Sequence, residues 1–212
     1  MRGLNRLDKG VLAFDQVMRT VFSRTHLARR DNPADSLPAS ALTDAERKHS
    51  AGLMRINHAG EVCAQALYQG QALTAKLPKV RVQMQQAADE EIDHLAWCQS
   101  RLTELNSHTS FLNPLWYGAS FSIGAIAGLV GDRWSLGFVA ETERQVVVHL
   151  DKHMHHLSHK DQKSLAILKQ MQIDEASHQK MAEDAGAALF SKPMQTLMTL
   201  TSKVMTTSAY RL

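Results

Sequence analysis

The sequence predicts an all-α protein built around a four-helix bundle, and three observations support this fold class. Long stretches place apolar residues at the i, i+3, i+4, i+7 spacing of an amphipathic helix, and no alternating pattern typical of a β-strand is present. Two of these stretches carry the same motif, Glu-x-x-His, and two others each carry an isolated glutamate on a helical face. With 212 residues and 44% hydrophobic content, the chain can bury one sizeable core.

The first 42 residues are predicted to precede the bundle domain, which is assigned to residues 43–212. Residues 4–24 have apolar side chains on one helical face and a basic bias on the remainder, which indicates an amphipathic helix. Such a helix can lie on a membrane surface or dock on the bundle, and the pattern favours neither. The Pro- and Asp-containing stretch at 31–38 is predicted to be a linker.

Boundary signals place the helices of the bundle. Thr43 and Glu46 form a predicted capping box that starts the first helix, and Pro78 is predicted to end it. Pro193 is predicted to open a short C-terminal helix. The other three bundle helices are predicted over residues 79–106, 136–158 and 161–190.

An uncharged segment, LWYGASFSIGAIAGLVG at 115–131, separates the two halves of the bundle. It is near the short end for a membrane-spanning helix. A buried crossover helix or contact with a membrane surface is therefore favoured over spanning, because any such bundle needs a crossover. Small residues predict close contact with another helix, and they are Gly118, Ser122, Gly124 and Gly128.

The two Glu-x-x-His motifs, EEIDH and DEASH, are the most informative residues of the chain. Residues three apart share a helical face, so each motif can direct a carboxylate and an imidazole to one point. Each motif follows an isolated helical glutamate by about thirty residues. This set of donors from four helices is that of a carboxylate-bridged centre with two metal ions. The six candidate ligands are Glu61, Glu91, His94, Glu143, Glu175 and His178.

Three of the four helices place these donors within an apolar stripe. The stripe around DEASH runs from Leu165 to Leu189, and Glu143 interrupts a similar stripe while Glu141 is predicted to point away. The helical face around Glu61 is more polar. Four buried carboxylates repel one another unless cations balance them, and two divalent ions supply that balance. The alternative of four surface or salt-bridged glutamates leaves the interrupted stripes unexplained.

Other residues of the same types receive different interpretations. Glu46 and His49 also form Glu-x-x-His, but they lie roughly 20 Å along the first helix from Glu61 and cannot serve the same centre. His58, one turn before Glu61, could orient a metal ligand through a hydrogen bond, and a packing role is equally compatible. Packing is also the favoured role of both cysteines. The histidines predicted to form a solvated, non-functional stretch are His153, His155, His156 and His159.

Bulk properties exclude several classes of function. A net charge of +3 without a basic patch interleaved with aromatic residues argues against a nucleic-acid partner. Two cysteines outside any Cys-x-x-Cys motif indicate a reducing compartment rather than a disulfide scaffold. Residues 1–30 show no unbroken apolar run of the kind found in signal peptides.

The runs NHAGE, EEIDH, GFVAETERQVVVHL and DEASH resemble the demethoxyubiquinone hydroxylases of ubiquinone biosynthesis, over about residues 53–185. The resemblance implies a ferritin-like four-helix bundle in which the six donors hold two iron ions. It places His149 near the site. Where the eukaryotic members often have tyrosine, this chain has Leu150, so no role of that tyrosine is carried over.

The resemblance also implies an activity and a location. Members are monooxygenases that use O₂ to hydroxylate the ring of a polyprenylated benzoquinol, and they lie peripherally on the inner (plasma) membrane, here expected on the cytoplasmic side. The electron donor is left open between a reductase, a nicotinamide and the quinol, as is contact with other ubiquinone-biosynthesis proteins. Two alternatives are iron storage or detoxification by a ferritin-like protein, and a non-enzymatic quinone- or lipid-binding scaffold.

Overall fold

The computed structural model describes residues 15–21, 28–39 and 41–212, and all regular secondary structure in these ranges is helical. The all-α prediction is confirmed. Residues 15–21 are helical, whereas most of the predicted amphipathic helix at 4–24 lies outside the described residues. The later helices are α1 (Asp44–Thr74), α2 (Pro78–Glu104), α3 (Asn113–Val130), α4 (Asp132–His156), α5 (Gln162–Asp184) and α6 (Lys192–Ala209).

Helices α1, α2, α4 and α5 form a ferritin-like four-helix bundle made of two helical hairpins, α1–α2 and α4–α5. Each of the four helices contributes to two apolar clusters. One cluster surrounds Met54, Trp97 and Leu168, and the other surrounds Tyr68 and Met84. On every helix the predicted ligands lie between the residues of these two clusters, so the polar centre is enclosed by an apolar layer on each side.

Local capping interactions set the ends of the first hairpin. The capping box is confirmed: Thr43 N donates to Glu46 Oε2 at 2.8 Å, and Glu46 N donates to Thr43 Oγ1 at 3.3 Å. The prediction that Pro78 ends α1 was wrong, because α1 already ends at Thr74 and Pro78 is the first residue of α2. Proline fits there because its missing N–H would have no partner in the first turn.

Helix α3 crosses from the first hairpin to the second and packs mainly along α1. A side chain at Gly124 would collide with the carbonyl of Leu67, and one at Gly128 with the side chain of Thr74. The predicted close contact is therefore correct for these glycines, whereas Gly118 has open space beside it. No helix of the described ranges has both the length and the apolar character that crossing a membrane requires.

The end of α5 differs from the prediction. The helix stops at Asp184, six residues before the predicted end at 190, and Leu189 is 97% exposed rather than part of the buried stripe. Gly186 adopts a φ of 96°, and Ala187 N donates to the carbonyl of Ala182 at 3.2 Å. This left-handed turn, which glycine tolerates, redirects the chain before the periodic pattern is complete.

The residues before α1 that the structure describes lie against the bundle. Ala34 is buried in the cluster around Trp97, and Val17 and Val21 pack against the cluster around Val62. The division of the chain into residues 1–42 and 43–212 stays a prediction.

Candidate metal centre

Three helices bring four of the predicted ligands together. One donor atom from each of Glu61, Glu91, His94 and Glu175 lies within 4.8 Å of the others, and all four residues are buried. His94 Nδ1 is 3.1 Å from Glu91 Oε2, 3.1 Å from Glu175 Oε1 and 3.7 Å from Glu61 Oε2. These atoms surround one point with three carboxylates and one imidazole.

The remaining two predicted ligands adjoin the same carboxylates. His178 Nδ1 lies 3.0 Å from Glu175 Oε2 and 3.4 Å from Glu91 Oε1. Glu143 is buried, and the charges of Glu175, Glu91 and His178 all affect its ionisation. The structure thus brings Glu61, Glu91, His94 and Glu175 into one donor set, and His178 adjoins it through Glu91 and Glu175. Glu143 is linked to this cluster by the electrostatic effect of its charges and does not share its close donor distances.

Each histidine is held by an acidic residue of the opposite motif. His94 Nε2 lies 2.9 Å from Asp174 Oδ2, and His178 Nε2 lies 2.6 Å from Glu90 Oε2. If Nε2 carries the proton and donates it, Nδ1 is free to bind a cation. The sequence reasoning missed Glu90 and Asp174. The signal was nevertheless present, because both motifs begin with an acidic residue immediately before the ligand glutamate.

Burial and neighbouring charges favour the protonated forms of three predicted ligands when no metal is bound. Burial and the charge of Glu91 raise the pKa of Glu61 well above its usual value. Burial and the charge of Glu175 do the same to the pKa of Glu143. Burial disfavours a charged imidazole, yet Glu91 and other carboxylates raise the pKa of His94 well above its usual value.

For Glu91 and His178, contacts between carboxylates and imidazoles shift the pKa in the direction opposite to that caused by burial. Burial opposes ionisation of Glu91, but the adjacent His94 and His178 lower its pKa. Burial likewise opposes protonation of His178, but Glu175, Glu90 and Glu91 raise its pKa. Such a centre can exchange its protons for cations.

Tyr68 reaches the centre from α1. Its hydroxyl donates to Glu143 Oε1, and its ring stands edge-on to the ring of His178 at a centroid distance of 6.4 Å. Burial and the charge of Glu143 raise the pKa of Tyr68, so the hydroxyl keeps its proton and remains a donor. Glu143 Oε2 is buried and has no hydrogen-bond partner among the residues that the structure describes.

The donor set fits two divalent cations. Carboxylate oxygens and imidazole nitrogens suit ferrous iron and similar ions. Four glutamates carry the charge that two divalent ions balance, and the unsatisfied oxygen of Glu143 is the kind of buried polar atom that requires a partner.

The histidines near the predicted ligands do not all lie at the centre. Asn113 Nδ2 on α3 is 3.4 Å from His58 Nδ1. The His149 ring lies 4.0 Å from that of His153, and burial lowers the pKa of His149. The solvated interpretation of His153 was wrong: it is buried, and its Nδ1 is 2.8 Å from Asn57 Oδ1. His155, His156 and His159 are exposed, as expected.

The other residues set aside in the sequence have structural partners. His49 Nδ1 is 2.8 Å from the hydroxyl of Tyr210, and Glu46 completes the capping box. Glu141 points away from the centre as predicted, but it is buried and accepts two hydrogen bonds from Arg144. Cys98 is buried in the core, 3.7 Å from Met171 Sδ.

Comparisons with known proteins identify the family of this chain. A sequence model of the family described as "Ubiquinone biosynthesis protein COQ7" matches residues 48–209. A protein of Chromohalobacter salexigens named 3-demethoxyubiquinol 3-hydroxylase is 58% identical over 211 residues, covering 100% of this chain and 99% of its own. Proteins with the same name from Marinomonas sp. and Pseudomonas putida are 58% and 56% identical, over 97% and 100% of this chain and 98% of their own lengths. The chain therefore belongs to the COQ7 family of ubiquinone biosynthesis proteins.

Proposed function

We propose that this protein is a 3-demethoxyubiquinol 3-hydroxylase, a di-iron monooxygenase that uses O₂ to hydroxylate the ring of a polyprenylated demethoxyubiquinol. The observation that carries the proposal is the buried cluster of Glu61, Glu91, His94 and Glu175, with His178 beside two of its carboxylates. The relatives at 53–58% identity carry that activity in their names, and they match this chain over nearly its full length.

The proposed reaction balances with two added electrons. One oxygen atom of O₂ enters a ring C–H bond to give a hydroxyl group, and the other becomes water with two electrons and two protons from a donor. Two ferrous ions, when bound, supply the binding of O₂ and its reduction. The residues proposed to hold them are Glu61, Glu91, His94, Glu143, Glu175 and His178.

The protein side chains would contribute by holding the ions, orienting the ligands and excluding water. Glu91 and Glu175 would hold both ions, and Asp174 and Glu90 would fix the two imidazole rings. The apolar clusters on each side of the centre exclude water from it. Tyr68 keeps one oxygen of Glu143 engaged, which leaves the other oxygen for a cation.

Turnover and iron content of two variants test the function. We expect Glu175→Ala and His178→Ala to abolish conversion of a short-chain demethoxyubiquinol, followed by mass spectrometry with ¹⁸O₂, while the helical content is preserved. The matched control is Glu183→Ala, which removes an exposed carboxylate from the same helix. Retained turnover in the first two variants would contradict the proposal. Many irons per chain, instead of two, would support the storage alternative.

We also propose that the protein acts peripherally on the cytoplasmic side of the inner membrane, through the outer surface of α3. Its substrate carries a polyprenyl chain, and this surface exposes large apolar side chains that a lipid headgroup region can accept. The five residues are Leu115, Ile123, Ile126, Leu129 and Val130. The exposed apolar face of α6 is the other candidate surface, and it includes Leu197, Leu200 and Val204.

Liposome flotation separates the two surfaces. We expect the triple variant Leu115→Asn, Ile126→Asn, Leu129→Asn to lose most of its binding to anionic vesicles. The control variant makes the α6 face polar by Leu197→Asn, Leu200→Asn, Val204→Asn and should bind as the wild type does. Unchanged flotation of the α3 variant would contradict the proposed contact.

A further inference from the structure

Arg30, in the segment before the bundle, contacts acidic residues at the outer side of the metal centre. Arg30 Nε donates to Asp93 Oδ2 at 2.7 Å, and Arg30 Nη2 lies 2.9 Å from Asp174 Oδ2. The guanidinium carbon lies 4.8 Å from the centre of the Trp97 ring, a distance typical of a cation–π contact. Because Asp93 is on α2 and Asp174 on α5, Arg30 joins the two helices that carry the Glu-x-x-His motifs.

Arg30 acts on the centre through Asp174. Arg30 Nη2 and His94 Nε2 each lie 2.9 Å from Asp174 Oδ2, and Gln170 Nε2 donates to Asp174 Oδ1 at 2.9 Å. A carboxylate engaged at both oxygens has one orientation, so the ring of His94 also has one orientation, with Nδ1 towards the ligand carboxylates. Only 13% of the Asp174 side chain is exposed, so water competes little for these bonds.

The partner of His178 lacks this support. The Glu90 side chain is 54% exposed, and within the described part of the chain no lysine or arginine forms a salt bridge with it. It borders a surface cavity of about 290 Å³ that Arg29, Arg30, Asp89 and Asp93 also line. Solvent therefore reaches the residue that orients His178, whereas Arg30 covers the residue that orients His94.

We propose that Arg30 is a positioning residue for the metal centre. By bridging Asp93 and Asp174 it fixes the ring of His94, and it thereby makes the cation position at His94 a tighter site than the one at His178. The inference rests on the proposed function only in assigning two cations to the centre. The planar guanidinium suits this task because its forked donors can engage two carboxylates at once.

Titration of the metal-free full-length chain with Co²⁺ tests this role without substrate or turnover. Binding is followed by the visible absorption of Co²⁺ and by competition with a chelator. We expect the wild type to bind two Co²⁺ ions with different affinities. Arg30→Ala should weaken the tighter event by up to about 10-fold and change its absorption bands, because Arg30 acts through Asp174, whose own loss costs about 10- to 100-fold.

Arg29→Ala is the matched control. The Arg29 guanidinium pairs with Asp89 instead and is 66% exposed, and its backbone N–H to Asp93 Oδ1 survives the substitution. Both Co²⁺ affinities should stay within about twofold of the wild type, as expected for an exposed ion pair. Arg30→Lys keeps the charge but not the fork, so it should remain closer to Arg30→Ala than to the wild type.

Several results would overturn the inference. These are an unchanged tighter affinity in Arg30→Ala, full recovery in Arg30→Lys, and two equal affinities in the wild type, which would leave the proposed function intact. A wild-type chain that binds no Co²⁺ would overturn both. If thermal unfolding shows that Arg30→Ala does not fold, Arg30→Met retains the side-chain stem on Trp97 and gives the same comparison.

Discussion

The two hairpins of the bundle carry the same ligands in different surroundings. In the first, His94 is oriented by Asp174, which is nearly buried and contacts Arg30. In the second, His178 is oriented by Glu90, which is more than half exposed. Helix α3 also packs mainly on the first hairpin, along α1. The repeated motif thus repeats the donor atoms, whereas among the described residues the segment before the bundle contacts the acidic partner of only one of the two histidines.

The largest difference in metal affinity and turnover is expected between substitutions of Asp174 and Glu90, the acidic residues that contact the two histidines. Asp174→Asn should lower metal affinity and demethoxyubiquinol turnover by roughly 10- to 100-fold, because the carboxylate that orients His94 is lost from a shielded site. Glu90→Gln should cost no more than about fivefold, since solvent already competes for that pair. Iron titration and steady-state turnover of both variants measure the difference. Equal losses of metal affinity and turnover in the two variants would contradict the proposed difference between the hairpins.

A smaller effect is expected from the contact between α3 and the first hairpin. Gly124→Ala would press a methyl group against the carbonyl of Leu67. We expect a loss of about 1–3 kcal/mol in the free energy of unfolding, measured with denaturant, which is typical of overpacking. Gly118→Ala on the same helix meets open space and should be neutral or up to about 1 kcal/mol stabilising. Equal effects at the two positions would argue against tight α1–α3 packing.

The stability of the metal-free chain should also depend on pH. In the metal-free folded chain the pKa of His94 lies above the ordinary 6.5, and the pKa values of Glu61 and Glu143 lie above 4.5. Between pH 6.5 and the raised pKa of His94, the folded state therefore holds a proton that the unfolded state has released. The free energy of unfolding should then fall as pH rises from 6.5 to 8.5, by about 1.4 kcal/mol per pH unit for each such proton.

Urea unfolding of the metal-free and metal-loaded chains at pH 6.5, 7.5 and 8.5 measures this slope. Loading with metal should remove most of it, because cations replace the protons. Asp174→Asn should flatten the metal-free slope more than Glu90→Gln does. A slope of the opposite sign in the metal-free wild type would contradict the proposed charge balance.

The sequence predicted the elements that follow from helical periodicity. The capping box at Thr43, the hairpins and the crossover helix all follow from local spacing and composition. Periodicity also placed the donors of three helices within apolar stripes, whereas the face around Glu61 is more polar. It failed at Leu189, where the turn at Gly186 ends the helix although the apolar pattern continues.

The features that the sequence did not predict depend on contacts between distant segments. The burial of His153 follows from Asn57 on another helix, and the pairing of Glu90 and Asp174 with the histidines crosses from one motif to the other. Arg30 lies before the bundle, where no periodic pattern indicates its two carboxylate partners. Tertiary packing determines these contacts, so no local pattern in the sequence predicts them.

The most direct test of the central claim is a crystal structure of the chain loaded anaerobically with Fe²⁺, with anomalous differences collected at the iron absorption edge. We predict two peaks inside the bundle, one beside His94 and one beside His178, with Glu91 and Glu175 in contact with both. A single peak, or peaks confined to the protein surface, would contradict the assignment of these six residues to a two-ion centre.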